Sequence, residues 1–364
     1  MLKKNVKTAL FVLFSVLFFL FFLSFYLRTD AKFVDAQINE SEIVMEKNSK
    51  RVLFGKNVSD KMFMASTTKI LTAITIIENC DVNALVTVTP ETVGVEGSSI
   101  YLEAGEKLSV KDLLYGLMLR SGNDCAETLA VYCSETISAF AGLMNETAAK
   151  IGAKNSNFVN PHGLHDDNHY TTAYDLALIS CYALDNPVFR EIASAKTAVI
   201  PHSTRDSKRY LKNKNKMLSR LDGCTGIKTG YTKKAGRCLV TSCERDGMEL
   251  VCVVLNCGAM WDVSENLLND AFIKYHNYKL ADEKNVVGFA EYGEKSKKCP
   301  LYIKNDIVLP LTKTEKERLK IVYDYEKKLD KNFKKDEEVG SVKIFIENNL
   351  LFSEKIYTIL GVRN

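Results

Sequence analysis

No charge of one sign dominates this chain: 49 Lys plus Arg face 45 Asp plus Glu, a net charge of +4 over 364 residues. A nucleic-acid partner would need a concentrated basic face, so nucleic acid is set aside. The ten cysteines include no C-x-x-C pair, which removes the zinc-ribbon and dithiol-redox patterns. There is no H-E-x-x-H and no long internal repeat. A composition of 46% hydrophobic and 26% charged residues is that of a globular chain. Disordered, collagen-like and multi-spanning membrane classes are thereby excluded.

What is present begins with Lys3, Lys4 and Lys7 ahead of an uncharged, Leu- and Phe-rich run of 20 residues, 8–27. Positive charge before such a run keeps the N-terminus in the cytoplasm and sends the rest outside. The run is longer than the roughly 7–15 residues of a cleaved signal core and close to the ~20 that span a bilayer. Small residues at Val34 and Ala36, or Thr29 and Ala31, suit cleavage. Residues 1–36 are therefore read as a signal peptide or a membrane anchor, with both open. Among the cysteines, Cys125, Cys133, Cys181, Cys238 and Cys252 sit in apolar stretches and are expected as buried free thiols. A strand-paired disulfide among Cys238, Cys243, Cys252 and Cys257 is left open.

Residues 41–56 read as a hairpin around a polar turn at 47–50. Residues 67–79 carry Ile70, Leu71, Ile74, Ile76 and Ile77 on almost every side, which predicts a helix buried in the core. Helical stretches at 110–119 and 126–133 flank the polar segment Ser121-Gly122-Asn123-Asp124. A loop at 160–170 precedes a helix at 174–184, and strands at 236–244 and 249–257 flank an Asp246-Gly247 turn. From residue 286 short strand-like runs follow one another, a β-rich unit of its own. His162, His165 and His169 lie three and four residues apart in the turn-rich loop, where loop structure is the expected role. No metal and no cofactor is expected.

Ser66 stands three residues before Lys69 at the start of the buried helix, on the same face one turn apart. A serine hydroxyl is a poor nucleophile until a neighbour takes its proton, and an uncharged lysine can do so. Burial and a second cation both lower a lysine's pKa, so a further lysine across the site would serve the reaction. Ser121-Gly122-Asn123 offers a hydroxyl and a carboxamide. Lys228-Thr229-Gly230 offers a cation, a hydroxyl for a carboxylate, and a glycine beside which a substrate backbone can lie. Each segment alone has a plain reading as turn or surface sequence. Their order and spacing give the combination its weight.

Together these segments resemble the S-x-x-K, S-x-N and K-T-G set of penicillin-binding proteins and class A β-lactamases. Ala65-Ser66-Thr67-Thr68-Lys69, Leu119-Arg120-Ser121-Gly122-Asn123-Asp124, Asn160-Pro161-His162-Gly163-Leu164 and Gly226-Ile227-Lys228-Thr229-Gly230-Tyr231-Thr232 are similar to the low-molecular-weight D-alanyl-D-alanine carboxypeptidases. The likeness covers roughly 41–275 and continues faintly through Val339-Gly340-Ser341-Val342-Lys343 into that family's C-terminal domain. The resemblance implies an α+β fold: an antiparallel sheet flanked by helices with a helical subdomain, residues 37–282, followed by a small β-rich domain, 283–364.

It further implies a hydrolase that removes the terminal D-alanine of peptidoglycan stem pentapeptides through an acyl-enzyme on Ser66, and that β-lactams acylate. Lys69 would be the base, and Ser121 would pass the proton on. Asn123 would bind the acyl-side amide, Lys228 would polarise the site and Thr229 would meet the terminal carboxylate. The N–H groups of Ser66 and Tyr231 would form the oxyanion hole. A carboxylate-binding arginine of some relatives falls at Lys214, a point charge without arginine's fork. A class A β-lactamase needs a carboxylate-activated water, and no Glu occurs between 150 and 175. A non-catalytic wall-binding protein would have lost Ser66, Lys69 or Lys228, and none is lost. The absence of a large further domain favours hydrolysis over transpeptidation. With no amphipathic helix after the last strand, any membrane attachment is expected through the N-terminal segment.

Overall fold

The computed structural model describes residues 39–283, 285–330 and 332–362. The expected signal or anchor at 1–36 lies outside them. Among the described residues no helix is long and apolar enough to cross a membrane.

The first expected hairpin forms as β1 (Ser41–Glu46) and β2 (Val52–Lys56). All six residues of β1 are buried, because helices cover both faces of the sheet at its centre. The buried helix α1 (Lys69–Asn79) grows out of a tight turn at Ala65–Thr68, and its residues from Lys69 to Ile76 are all shielded from solvent. Next come α2 (Val110–Tyr115), α3 (Asn123–Ser134), α4 (Ile137–Ile151), α5 (Ala173–Ala183) and α6 (Pro187–Ser194). A hairpin of β3 (Thr197–His202) and β4 (Ser207–Lys212) leads to β5 (Cys224–Thr232), β6 (Gly236–Arg245) and β7 (Met248–Leu255). The Asp246-Gly247 turn between β6 and β7 has φ of 49° and 72°, the left-handed pair that matches the twist of a two-residue hairpin.

These strands form an antiparallel sheet in the order β2-β1-β7-β6-β5, which leaves β5 at an edge. Helix α7 (Met260–Lys274) packs on one face through Met260, Leu268 and Ala271, against Leu239, Leu250 and Val254. Helix α5 covers β1 and β7, and α1 packs against α3, α4 and α5 in turn. All ten cysteines are free thiols, including Cys224 and Cys243, which stand opposite one another across β5 and β6.

After α7 the chain forms β8 (His276–Ala281), β9 (Gly288–Tyr292), β10 (Lys297–Tyr302), β11 (Ile307–Leu311), β12 (Leu319–Tyr325), β13 (Glu338–Ile346) and β14 (Asn349–Thr358). Five of them make a second sheet in the order β9-β10-β14-β13-β12, and β8 pairs with β11. Tyr278, Leu280 and Ala281 pack on this second core. Strand β8 therefore belongs with it, a few residues ahead of the expected boundary at 282/283. Arg51 joins the two cores by donating to the carbonyl of Pro310 and the carboxylate of Glu315.

The β3–β4 hairpin is held to the rest by one buried ion pair. Arg209 grips the fully buried Glu106 with two parallel bonds of 2.7 and 2.5 Å and donates to the carbonyls of Ile100 and Tyr101. Burial alone would raise the Glu106 pKa, but the guanidinium outweighs it and holds the carboxyl below its ordinary value. Arg209→Ala strands that carboxylate and is expected to cost about 3–5 kcal/mol in urea unfolding. Arg318→Ala, which breaks an exposed pair with Glu347, is expected to cost no more than about 1 kcal/mol.

Candidate active site

The turn at Ala65–Thr68 delivers Ser66 and Lys69 to the same side of the N-terminus of α1, as their spacing predicts. Lys69 Nζ lies 3.2 Å from Ser66 Oγ, 2.7 Å from Asn123 Oδ1 and 2.7 Å from the carbonyl oxygen of His162. The side chain is fully buried. Burial, and after it the charge of Lys228, pushes the Lys69 ammonium well below its ordinary pKa. A neutral primary amine has two N–H donors and one lone pair. The carboxamide oxygen and the carbonyl oxygen can only accept, so they take both donors. The lone pair is left for the hydroxyl proton of Ser66, the arrangement of a nucleophile and its general base.

Three segments far apart in sequence build this pocket for the amine. Asn123 opens α3, and its carboxamide is committed at both ends, accepting from Lys69 and donating to the carbonyl of Glu96. The carboxamide expected to meet a substrate amide thus also anchors the base. The next residue, Asp124, is buried and accepts from Ser99 Oγ at 2.5 Å and from the N–H groups of Ile100 and Leu102 at 3.1 Å each. This carboxylate fixes the loop that carries Ser98. Asn160 bends the third segment by accepting from the N–H groups of His162 and Gly163. Gly163 has φ of 85°, and a Cβ there would stand 2.0 Å from the carbonyl oxygen of Ala65. Only glycine lets this loop press on the Ser66 turn and present the His162 carbonyl.

Ser121 has a left-handed backbone, φ 64°, and its buried Oγ has no hydrogen-bond partner. An unpartnered buried hydroxyl is costly unless something arrives to meet it. On β5, Lys228 is buried and donates to the carbonyl of Thr229 at 3.0 Å. Burial first, then the charge of Lys214, lowers its pKa to about 7. Gly230 follows on the same strand. A Cβ there would meet the Met64 carbonyl oxygen at 2.9 Å and the N–H nitrogens of Ser66 and Thr67 at 3.1 Å. A side chain there would collide with the protein's own nucleophile turn, and the glycine also lines the cleft, where a substrate backbone can lie.

The site opens into a cleft of about 420 Å³ whose walls include Ser66, Ser121, Lys214, Thr229, Tyr231 and Arg237. Among the described residues no Asp or Glu lines it. Lys214 donates to Ser98 Oγ at 2.9 Å, and burial followed by the charge of Arg120 lowers its pKa. Sequence reasoning missed the His162 carbonyl, the Asp124 carboxylate and Arg237. The first carries no side-chain signature, and the last depends on strand register.

The three loop histidines each have a local partner. His162 Nε2 lies 3.2 Å from Glu127, and His165 packs edge-on to Phe63. His169 Nδ1 accepts from the N–H of Val159 while its Nε2 meets Thr68 Oγ1 at 2.8 Å. Burial lowers the His169 pKa to about 3. Glu103, Glu106 and His202 are grouped closely enough to hold a metal ion, but they do not line the cleft and the two carboxylates pair with Arg205 and Arg209.

Residues 29–259 match the family described as D-alanyl-D-alanine carboxypeptidase, and residues 275–362 match the C-terminal domain of penicillin-binding protein 5. The chain is 32% identical over 251 residues to the D-alanyl-D-alanine carboxypeptidase DacF of Bacillus subtilis, a match covering 66% of this chain and 64% of DacF, less than two thirds of that relative's length. It is 29% identical over 324 residues to DacA of Haemophilus influenzae, covering 83% of this chain and 80% of DacA. The crystal structure of penicillin binding protein 5 from Haemophilus influenzae superposes with a TM-score of 0.78 at 26% identity, covering 89% of this chain and 97% of that one. With more than half of its length matched by the family and the serine, lysine and K-T-G elements gathered at one cleft, the chain belongs to the D-alanyl-D-alanine carboxypeptidases, the low-molecular-weight penicillin-binding proteins.

Proposed function

We propose that this protein is a serine D-Ala-D-Ala carboxypeptidase that removes the terminal D-alanine from peptidoglycan stem pentapeptides. The observation that carries the reading is the placement of Lys69 Nζ 3.2 Å from Ser66 Oγ with its two N–H donors absorbed elsewhere. In the first step Lys69 takes the Ser66 proton as Oγ attacks the carbonyl carbon between the two D-alanines. The N–H groups of Ser66 and Tyr231 would meet the developing oxyanion, a term worth roughly 3 kcal/mol per donor in such sites. The C–N bond then breaks, and Ser121 hands the departing amine the proton held by Lys69. Water attacks the acyl-enzyme, the ester bond breaks, and Ser66 regains its proton. Lys228, in its protonated form, adds positive charge beside Thr229, whose hydroxyl meets the terminal carboxylate. Asn123 acts by holding Lys69.

That members of the family act on peptidoglycan supports work outside the cytoplasm for this chain. We assign the catalytic domain to 37–282 and the β-rich domain to 283–364, adjusted for β8. The same proposal takes residues 8–27 as a membrane anchor if they are retained and as an export signal if they are cleaved. β-Lactams are expected to acylate Ser66 because they present a reactive amide and a carboxylate to the same groups.

Lys69→Ala removes the base and leaves the serine in place. Intact-mass measurement after incubation with benzylpenicillin should show the acyl adduct on the parent chain and a loss of acylation rate of at least about 100-fold in the variant. Undiminished labelling of the variant would remove Lys69 from its role. With no carboxylate on the cleft wall to activate water, the penicilloyl adduct should persist for minutes or longer. Stopped-flow turnover of penicillin at many cycles per second would instead mark the chain as a β-lactamase.

A further inference from the structure

Helices α1 and α3 meet at both ends. At their starts Lys69 donates to Asn123 Oδ1 at 2.7 Å. At their far ends stand Cys80, the residue that caps α1, and Cys133, the last residue but one of α3. The two cysteines lie eleven residues beyond Lys69 and ten beyond Asn123. At about 1.5 Å of rise per residue those spans come to roughly 16 and 15 Å, so helices level at one end are level at the other. The side chains do meet there, and the two thiols share a hydrogen bond.

Both cysteines are half-buried, so a reagent in solvent can reach them. Their shared bond is the largest influence on each. Cys80 keeps its proton and donates it, which raises its pKa, and Cys133 is lowered to about 6. The thiolate is the form of cysteine that attacks a disulfide. Burial raises the other eight thiols above their ordinary value. Cys224 and Cys243 also face one another, but each spends its S–H on a backbone carbonyl, that of Gly226 or Asp222. A reachable thiolate with a second thiol already against it is found at Cys133 and Cys80 alone of the ten.

We propose that Cys80 and Cys133 are a disulfide site, closed outside the cytoplasm by exchange with a small-molecule or protein disulfide. The Cys133 thiolate attacks one sulfur of that oxidant, whose S–S bond breaks and releases one thiolate. Cys80 then gives up its proton and attacks Cys133 Sγ in the mixed disulfide. The mixed S–S bond breaks, the second thiolate leaves with the electron pair, and the Cys80–Cys133 bond forms. Two protein thiols are oxidised, and one disulfide is reduced to two thiols that take up the two protons the cysteines lost. The bond closes a loop, residues 80–133, that contains Ser98, Ser121 and Asn123. It also ties the far ends of the two helices whose starts hold Lys69. A cross-link over so long a loop stabilises chiefly by restricting the unfolded chain. The site goes beyond the carboxypeptidase reading and shares with it only the compartment, where disulfides persist.

The test exposes the reduced, folded, full-length protein to oxidised glutathione near neutral pH, quenches with iodoacetamide, and reads intact mass and a non-reducing peptide map. Two of the ten thiols should escape alkylation, with no glutathione retained and one cross-linked peptide carrying both Cys80 and Cys133. The oxidised protein should unfold about 4 °C or more above the reduced one. Cys80→Ser should stop at a glutathione adduct on Cys133. Cys133→Ser should take up glutathione at least about 10-fold more slowly, because the thiolate is gone. Ten alkylated thiols in the parent chain, a cross-link between other cysteines, a lasting glutathione adduct on the parent's Cys133, or a bond that leaves Tm unchanged would overturn the assignment. Release of D-alanine is measured separately: a protein that forms the bond but releases none keeps the disulfide site and loses the carboxypeptidase reading.

Discussion

A lysine with no access to water, wedged between two oxygens that can only accept, is the constraint around which this molecule is arranged. Lys69 cannot keep an ordinary pKa in such a place, because burial penalises the ammonium and Lys228 repels it. Once neutral, it must spend both donors on Asn123 and His162, and its lone pair has a single direction left. That direction leads to Ser66. The chemistry of the site follows from counting hydrogens on one nitrogen.

Holding that nitrogen requires long-range order. The two acceptors come from 54 and 93 residues downstream of Lys69, one opening α3 and one in the loop before α5. Glycine makes each close approach feasible: Gly163 lets the His162 loop lie on the nucleophile turn, and Gly230 lets the edge strand do so from the other side. Behind them, Asp124 fastens the loop carrying Ser98, and Arg209 fastens the hairpin behind it to Glu106. Polar networks of this kind are stable only when every member is satisfied. Among the buried hydroxyls without a partner, that of Ser121 belongs to a residue that lines the cleft.

Much of this was legible in the sequence, and the parts that were not share a cause. The buried helix announced itself through apolar residues on every side, the β6–β7 hairpin through Asp246-Gly247, and the nucleophile and base through a three-residue spacing. Helix α7 buries one side through Met260, Ser264, Leu268 and Ala271, but Asp262, Glu265, Asn266, Asn269 and Asp270 interrupt its apolar run, so the local signal is faint. The β3–β4 hairpin lacks an Asn-Gly or Asp-Gly turn and carries Pro201 within a strand, so no local signal marks it. Asn123 and Gly230 are recognisable as site residues, but their inward contacts are not. Asn123 serves the base and Gly230 serves the turn, because what each touches is fixed by tertiary contact. The His162 carbonyl is a backbone atom, and no pattern of side chains encodes it.

The neutrality of Lys69 at neutral pH can be read from the pH dependence of the second-order rate constant for acylation by benzylpenicillin. If Lys69 is already deprotonated near pH 7, raising the pH gains nothing at the base. Loss of the Lys228 charge, with its pKa of about 7, should then make the rate level off and decline toward about pH 9. A rate that instead climbed about tenfold per pH unit from about pH 8 to 10 would place Lys69 at the ordinary lysine value and contradict the neutral base.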